Sequence, residues 1–188
     1  MSKKRFLALA TVGIALALPA TAGASGAHIQ VEDVCDEASF NAVLGEGACD
    51  RPAGDGGGNV TFDELLARLQ AKQEHKAWRF KEDKVTIRHG ESLKVAMTRG
   101  GEAHTVTEVP SFGLGCVEEL NHLVFPGQDP TALPAVCEDP LVFTPGAFVP
   151  GGDLILPGQS FSVTGLSKGT HRFMCMIHPW MKSTVTVR

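Results

Sequence analysis

The sequence predicts an all-β fold: a two-sheet antiparallel sandwich with an N-terminal helical extension and a long disulfide-tied insertion. Three observations predict it. From Trp78 onward, short runs alternate apolar and polar residues between glycine turns, as in Val85 and Ile87 and then Leu93, Val95 and Met97, which is the period of strands with one buried face. Helical periodicity is confined to one stretch, Phe62 to His75. Four of the five cysteines fall into two sequence-local pairs in a chain whose start resembles an export signal.

Residues 1–24 read as that signal. Lys3, Lys4 and Arg5 give a positive start, Phe6 to Leu18 an apolar run, and Ala20-Thr21-Ala22 or Ala22-Gly23-Ala24 a small-residue cleavage site. The apolar run is short for a bilayer span, and no cysteine near the cleavage site suggests lipidation. The alternative is an uncleaved anchor. The mature protein is expected to be soluble, in the periplasm or outside the cell, with no stable membrane insertion after cleavage. A chain of 188 residues that is 43% hydrophobic fits one ordinary domain plus extensions.

Residues 25–77 form the predicted extension. Ala27 to Asp50 has weak patterning, and Pro52 to Gly58 reads as a turning or flexible segment. Thr61 is placed to cap the helix Phe62 to His75, with Leu65, Leu66 and Leu69 on one face for packing on the sandwich. Asp55 to Glu64 imitates the second half of a calcium-binding EF-hand loop, but counting back puts Ala53 where the first carboxylate belongs. The triplet Asn59-Val60-Thr61 matches a glycosylation acceptor, a pattern common by chance.

Residues 78–188 are the predicted sandwich. Expected strands run Lys84 to Arg88, Ser92 to Thr98, Ala103 to Val109, Ser160 to Leu166, Thr170 to Met174 and Ser183 to Val187. Residues 110–157 form an insertion rich in proline and glycine. From Gly100 to Ser167 there is no lysine or arginine, so Glu102, Glu108, Glu118, Glu119, Asp129, Glu138, Asp139 and Asp153 leave this half acidic. The insertion reads as a solvated loop tied by a bridge, or else as a cover beside the site or a docking face for a basic partner. If Cys175 stays a thiolate, four cysteines remain, and of their three pairings the local one is expected: Cys35 with Cys49 and Cys116 with Cys137.

The chemistry gathers in Cys175-Met176-Ile177-His178-Pro179-Trp180-Met181, a loop between two predicted strands. Cysteine, histidine and methionine at steps of three can close on one metal ion, and a thiolate, imidazoles and a thioether are a soft set. Two histidines, one cysteine and a long methionine bond describe a blue-copper centre. Zinc prefers four firm ligands, and methionine is not among them. A second histidine is therefore needed, and His104 in Gly101-Glu102-Ala103-His104-Thr105-Val106-Thr107 is the candidate. Taken singly, the cysteine fits an inert core thiol, the histidine a surface residue, and Met181 a packing partner of Trp180.

His104 before Thr-Val-Thr, and Cys-x-x-His-Pro-x-Met ahead of a final Val-Thr-Val strand, resemble the copper pattern of the plastocyanin, azurin and amicyanin family of cupredoxins. The short step from His178 to Met181 is most similar to amicyanin. The resemblance covers roughly Trp78 to Val109 and Gln159 to the end. It implies a Greek-key cupredoxin β-sandwich and one type 1 copper ion held by His104, Cys175, His178 and Met181. It also implies a solvent-facing edge of His178, ringed by Pro179 and Trp180, as the electron port. The function it implies is single-electron transfer with redox partner proteins, without enzymatic turnover; a monomer with no nucleic-acid partner is expected.

Competing expectations remain open. A copper carrier or chaperone would use the same ligands, and an open-site copper enzyme would leave Met181 unbound. A multicopper oxidase or nitrite reductase domain would need further histidine clusters, and the chain has no His-x-His pair. A dinuclear centre needs two cysteines in the loop. His122, near Glu118, Glu119 and Asn121, lacks ligand spacing for a second metal. His28, His75 and His89 read as surface residues, and His171 as a strand residue sharing a face with Cys175, where the family more often shows an aromatic.

Overall fold

The computed structural model describes residues 27–138 and 154–188. The expected signal at 1–24, and Asp139 and Asp153 of the insertion, lie outside these residues. Ten strands, three α-helices and a short 3-10 helix (Ala135–Glu138) are present among the described residues. They run β1 (His28–Glu32), α1 (Glu37–Leu44), α2 (Phe62–Lys72), β2 (Arg79–Phe80), β3 (Lys84–Ile87), β4 (Leu93–Arg99), β5 (His104–Thr105), β6 (Thr107–Val109), α3 (Glu118–Val124), β7 (Leu154–Ile155), β8 (Ser160–Val163), β9 (Gly169–Met174) and β10 (Lys182–Val187).

The fold is a β-sandwich. One sheet has the order β2-β1-β4-β8, the other β3-β10-β9-β6, and β5 pairs with β7 in a small third sheet. Alternation does the work expected of it. Val85 and Ile87 of β3 and Val185 and Val187 of β10 face inward, against Ile29, Val31, Leu93, Val95 and Val163 of the opposite sheet. Pairing is non-local, with β4 beside β8 and β6 beside β9 across the long insertion, as in Greek-key connections. The sheets are mixed, however, and not purely antiparallel: β1 runs parallel to β4, and β3 parallel to β10.

The segment before Trp78 is more than a helical extension. It supplies β1, an inner strand of the first sheet, and two helices where one was expected. α2 begins at Thr61, whose side chain accepts from the Glu64 N–H while Glu64 reaches back to Thr61, a capping box. The helix stops at Lys72, short of His75, because Gln73 turns left-handed with φ 58°. Glu64 thus caps a helix, and Asp55 pairs with Arg51 at 2.7 Å; both are engaged away from any calcium loop. Phe40 stacks on Trp78, and Leu65 and Leu69 are buried beneath α2. Both expected disulfides are present, Cys35–Cys49 and Cys116–Cys137.

The expected single strand Ala103 to Val109 is divided at Val106. His104 lies opposite Ile155 in the small sheet, whereas Thr107 lies opposite Met174 in the second sheet. This change of partner carries His104 over the start of the 175–181 loop. The described part of the insertion is an exposed, disulfide-tied loop only over residues 126–138. α3 packs against α2, and the buried Asn121 side chain pins Gly115, accepting from its N–H at 2.7 Å and donating to its carbonyl at 3.0 Å. Gly115 in turn lies so close to the 175–181 loop that a Cβ there would sit 2.5 Å from the Met176 carbonyl oxygen. The next residue, Cys116, donates its N–H to that same carbonyl at 2.6 Å.

Candidate metal centre

One strand, β5, and one loop deliver the candidate ligand atoms. β9 ends at Met174, and the chain turns through Cys175 to Met181 before β10 leaves antiparallel to it. The turn is closed by the Met181 N–H donating to the His178 carbonyl at 2.9 Å and the Cys175 N–H donating to the Met181 carbonyl at 3.1 Å. It is tied to β5 by the Met176 N–H, which donates to Thr105 Oγ1 at 2.7 Å. Two backbone N–H groups, of Thr105 and His178, point at Cys175 Sγ, each at 3.4 Å.

The side chains of His104, Cys175 and His178 converge and are all buried. Cys175 Sγ lies 3.7 Å from Nδ1 of each histidine, and the two Nδ1 atoms are 3.1 Å apart. A triangle with these sides has its centre about 2.0 Å from every corner, close to the length of metal–nitrogen and metal–sulfur bonds. The three atoms are therefore spaced to share one ion. Met181 is buried in the same loop and bonded through its backbone to both Cys175 and His178. A sulfur anion and two imidazoles, in a loop that also carries the buried Met181, are a softer set than zinc's usual four firm ligands and suit copper.

The electrostatics favour a thiolate. Burial pushes the Cys175 thiol up, but the imidazoles of His104 and His178 overcome this and hold it well below its ordinary value. Behind each histidine stands a carboxylate that the sequence did not point to. His104 Nε2 is 3.0 Å from Asp33 Oδ2, and His178 Nε2 is 3.7 Å from Glu102 Oε1. Burial lowers the affinity of both rings for protons, while Asp33 brings His104 up to about 10 and Glu102 brings His178 up to about 9. Glu102 also accepts from the Trp78 indole N–H. Asp33 has no local signal, lying 71 residues from His104, and Glu102 stood only in the count of acidic residues.

The edge of His178 does not face solvent as expected. The residue is 2% exposed, with its Nε2 turned to Glu102 and the Trp180 ring edge-on at 5.3 Å. It forms part of the wall of a cavity of about 880 Å³ between α2 and α3, together with Phe62, Leu65, Leu123, Ile177 and Glu102. The helices of the N-terminal segment and the insertion thus flank this edge of His178.

The remaining histidines stand apart. His171 shares the inner face of β9 but bonds Glu108 at 2.6 Å and the Ser167 carbonyl at 2.8 Å. His122 is exposed on α3, and no metal-spaced group among the described residues includes it. His28 and His89 are exposed. His75 is half-buried instead, its ring against Trp78 and its carbonyl accepting from the Trp180 indole N–H. Asp33, Cys35 and Glu102 also lie close together, but Cys35 is committed to a disulfide.

No family model matches the chain, and no curated protein matches it. Among solved structures it is similar to a purple cupredoxin from Nitrosopumilus maritimus at 11% identity and TM-score 0.40, over 86% of this chain and 99% of that one. It is also similar to amicyanin from Paracoccus versutus at 11% identity and TM-score 0.38, over 90% of this chain and 87% of that one. An amicyanin variant in its reduced Cu(I) form at pH 4 matches at 15% identity and TM-score 0.35, over 61% of this chain and 76% of that one. These three solved structures are cupredoxins, each similar to this chain at low identity.

Proposed function

We propose that the chain is an exported mononuclear copper protein that passes single electrons between redox partners, and is not an enzyme. The observation that carries this reading is the convergence of Cys175 Sγ and the Nδ1 atoms of His104 and His178 at bond-compatible spacing. In the site so read, Cys175 is the thiolate ligand, His104 and His178 complete a trigonal set, and Met181 is the weak fourth ligand, the arrangement of type 1 copper. Copper bound there would supply a one-electron couple between its cuprous and cupric states.

The protein's own part is to keep the ligands still. Sγ accepts two backbone N–H groups, the loop is closed on itself at Met181, and Thr105 Oγ1 holds Met176. A ligand set fixed in this way changes little when its charge changes by one, which lowers the reorganisation an electron must wait for. Export is supported by the two disulfides and the signal-like first residues. None of the described helices is long and apolar enough to cross a membrane. The cavity beside His178 takes the place of an open port, and partners in brief redox encounters need only a small interface there.

The test is repeated reduction and oxidation of copper-loaded protein at constant copper content, in the presence of an apo copper-acceptor protein. Full, fast cycling with copper retained supports an electron carrier. Ready loss of copper to the acceptor would instead make the chain a carrier of the metal, and sluggish cycling with small anions reaching the ion would make it an open-site enzyme.

A further inference from the structure

Given the copper reading, we infer that Asp33 is the positioning residue of the site: its buried carboxylate orients His104 and lowers the reduction potential of the bound ion. Asp33 is buried, and its oxygens are all engaged. Oδ2 meets His104 Nε2 at 3.0 Å and accepts from the N–H groups of Gly101 at 3.1 Å and Glu102 at 3.2 Å. Oδ1 accepts from the N–H groups of Gly101 at 3.0 Å and Cys35 at 3.2 Å, and lies 3.3 Å from Arg51 Nη1.

This carboxylate is held as firmly as the ligands are. It follows directly on β1, and the Cys35–Cys49 disulfide anchors the same segment and the approach to Arg51. At Gly101 a Cβ would come within 2.8 Å of both disulfide sulfurs, so only glycine lets the backbone N–H approach Asp33 there. Holding the Nε2 proton of His104 leaves the Nδ1 lone pair directed at Cys175 and His178, the tautomer that ligation requires.

The consequence for the electron follows from charge. A carboxylate bonded to the far nitrogen of a ligating histidine makes the ring a stronger donor. The cupric state carries one more positive charge than the cuprous and gains more from it. Glu102 acts on His178 in the same sense but from 3.7 Å, beyond a hydrogen bond, so Asp33 exerts the larger influence. Arg51 opposes Asp33, though only in part, because its other nitrogen is taken by Asp55 at 2.7 Å. The segment ahead of Trp78 thereby sets the poise of a centre whose ligands all lie beyond it.

The experiment measures the reduction potential of the copper-loaded full chain at one fixed pH, for wild type, Asp33→Asn and Arg51→Gln. Asparagine keeps an acceptor for His104 and removes the charge. The ratio of cupric to cuprous affinity is expected to fall at least tenfold in Asp33→Asn, a rise in potential of about 59 mV. Arg51→Gln, which frees the Asp33 charge from its counterion, is expected to move the potential down. A purely structural role would loosen copper in both variants without shifts of opposite sign. Shifts of the same sign, or an unchanged ratio in Asp33→Asn, overturn the inference while leaving the copper reading intact. If Asp33→Asn fails to fold, an unchanged or raised potential in Arg51→Gln overturns it alone. A wild type that shows no copper couple at all overturns both.

Discussion

The metal-free site must hold a proton that an incoming ion has to expel, and this makes metal binding steeply pH-dependent. The two Nδ1 atoms are 3.1 Å apart. An N–H bond is about 1.0 Å long, so two protons facing each other across that gap would collide, and the gap accommodates one shared proton. Burial works against protonating either ring, but Asp33 raises His104 to about 10 and Glu102 raises His178 to about 9, and both face the depressed Cys175 thiol. The sign is therefore fixed. Raised imidazoles keep the shared proton at neutral pH, while the thiolate is already ionised and releases none. One proton should leave per ion bound, so apparent affinity should rise about tenfold, or roughly 1.4 kcal/mol, for each pH unit between about pH 6 and pH 8. Calorimetric titration with a cupric salt, in buffers of different ionisation enthalpy, counts that proton directly. Affinity flat across the range, with no proton released at pH 7, would refute the reasoning.

Three further outcomes follow from the same geometry. Gly115→Ala puts a methyl group against the Met176 carbonyl at 2.5 Å, so the ligand loop has to shift. A loss of roughly 1–3 kcal/mol in denaturant unfolding is expected, together with an altered metal spectrum. Leu69→Ala under α2, far along the chain from the ligands, should cost about 2–5 kcal/mol in the same assay while leaving the spectrum unchanged. Replacing Cys116 and Cys137 by serine opens a loop of sequence separation 21; about 3 kcal/mol should be lost, with copper still bound at saturating concentration.

Legibility in the sequence followed distance along the chain. The convergence of Cys175 and His178 was readable because a single loop carries them at a fixed step, and that of His104 because it precedes a strand-like Thr-Val-Thr; Met181 lies in the same loop. Both disulfides were readable because their partners are near neighbours. β1 was not, since its five residues show only Ile29 and Val31 as an alternating pair, too little to distinguish from a loop. α3 escaped for a similar reason: it has seven residues, no side-chain cap at Val117, and proline and glycine on both flanks. The parallel pairing of β1 with β4 is tertiary and leaves no local trace. The burial of His178 was missed because it depends on α3 and on Glu102, neither of which the ligand loop encodes. Asp33 belongs to the same class, as a short polar residue becomes a partner of His104 only once β1 has joined the sheet.

The central claim is that one sulfur anion and two ring nitrogens share a single copper ion. It is met most directly by the visible spectrum of the purified protein after addition of one equivalent of cupric ion, recorded beside Cys175→Ser. An intense band toward the red end in the wild type, absent from the variant, is the predicted result. A colourless wild type, or a band that survives loss of the thiol, would contradict it.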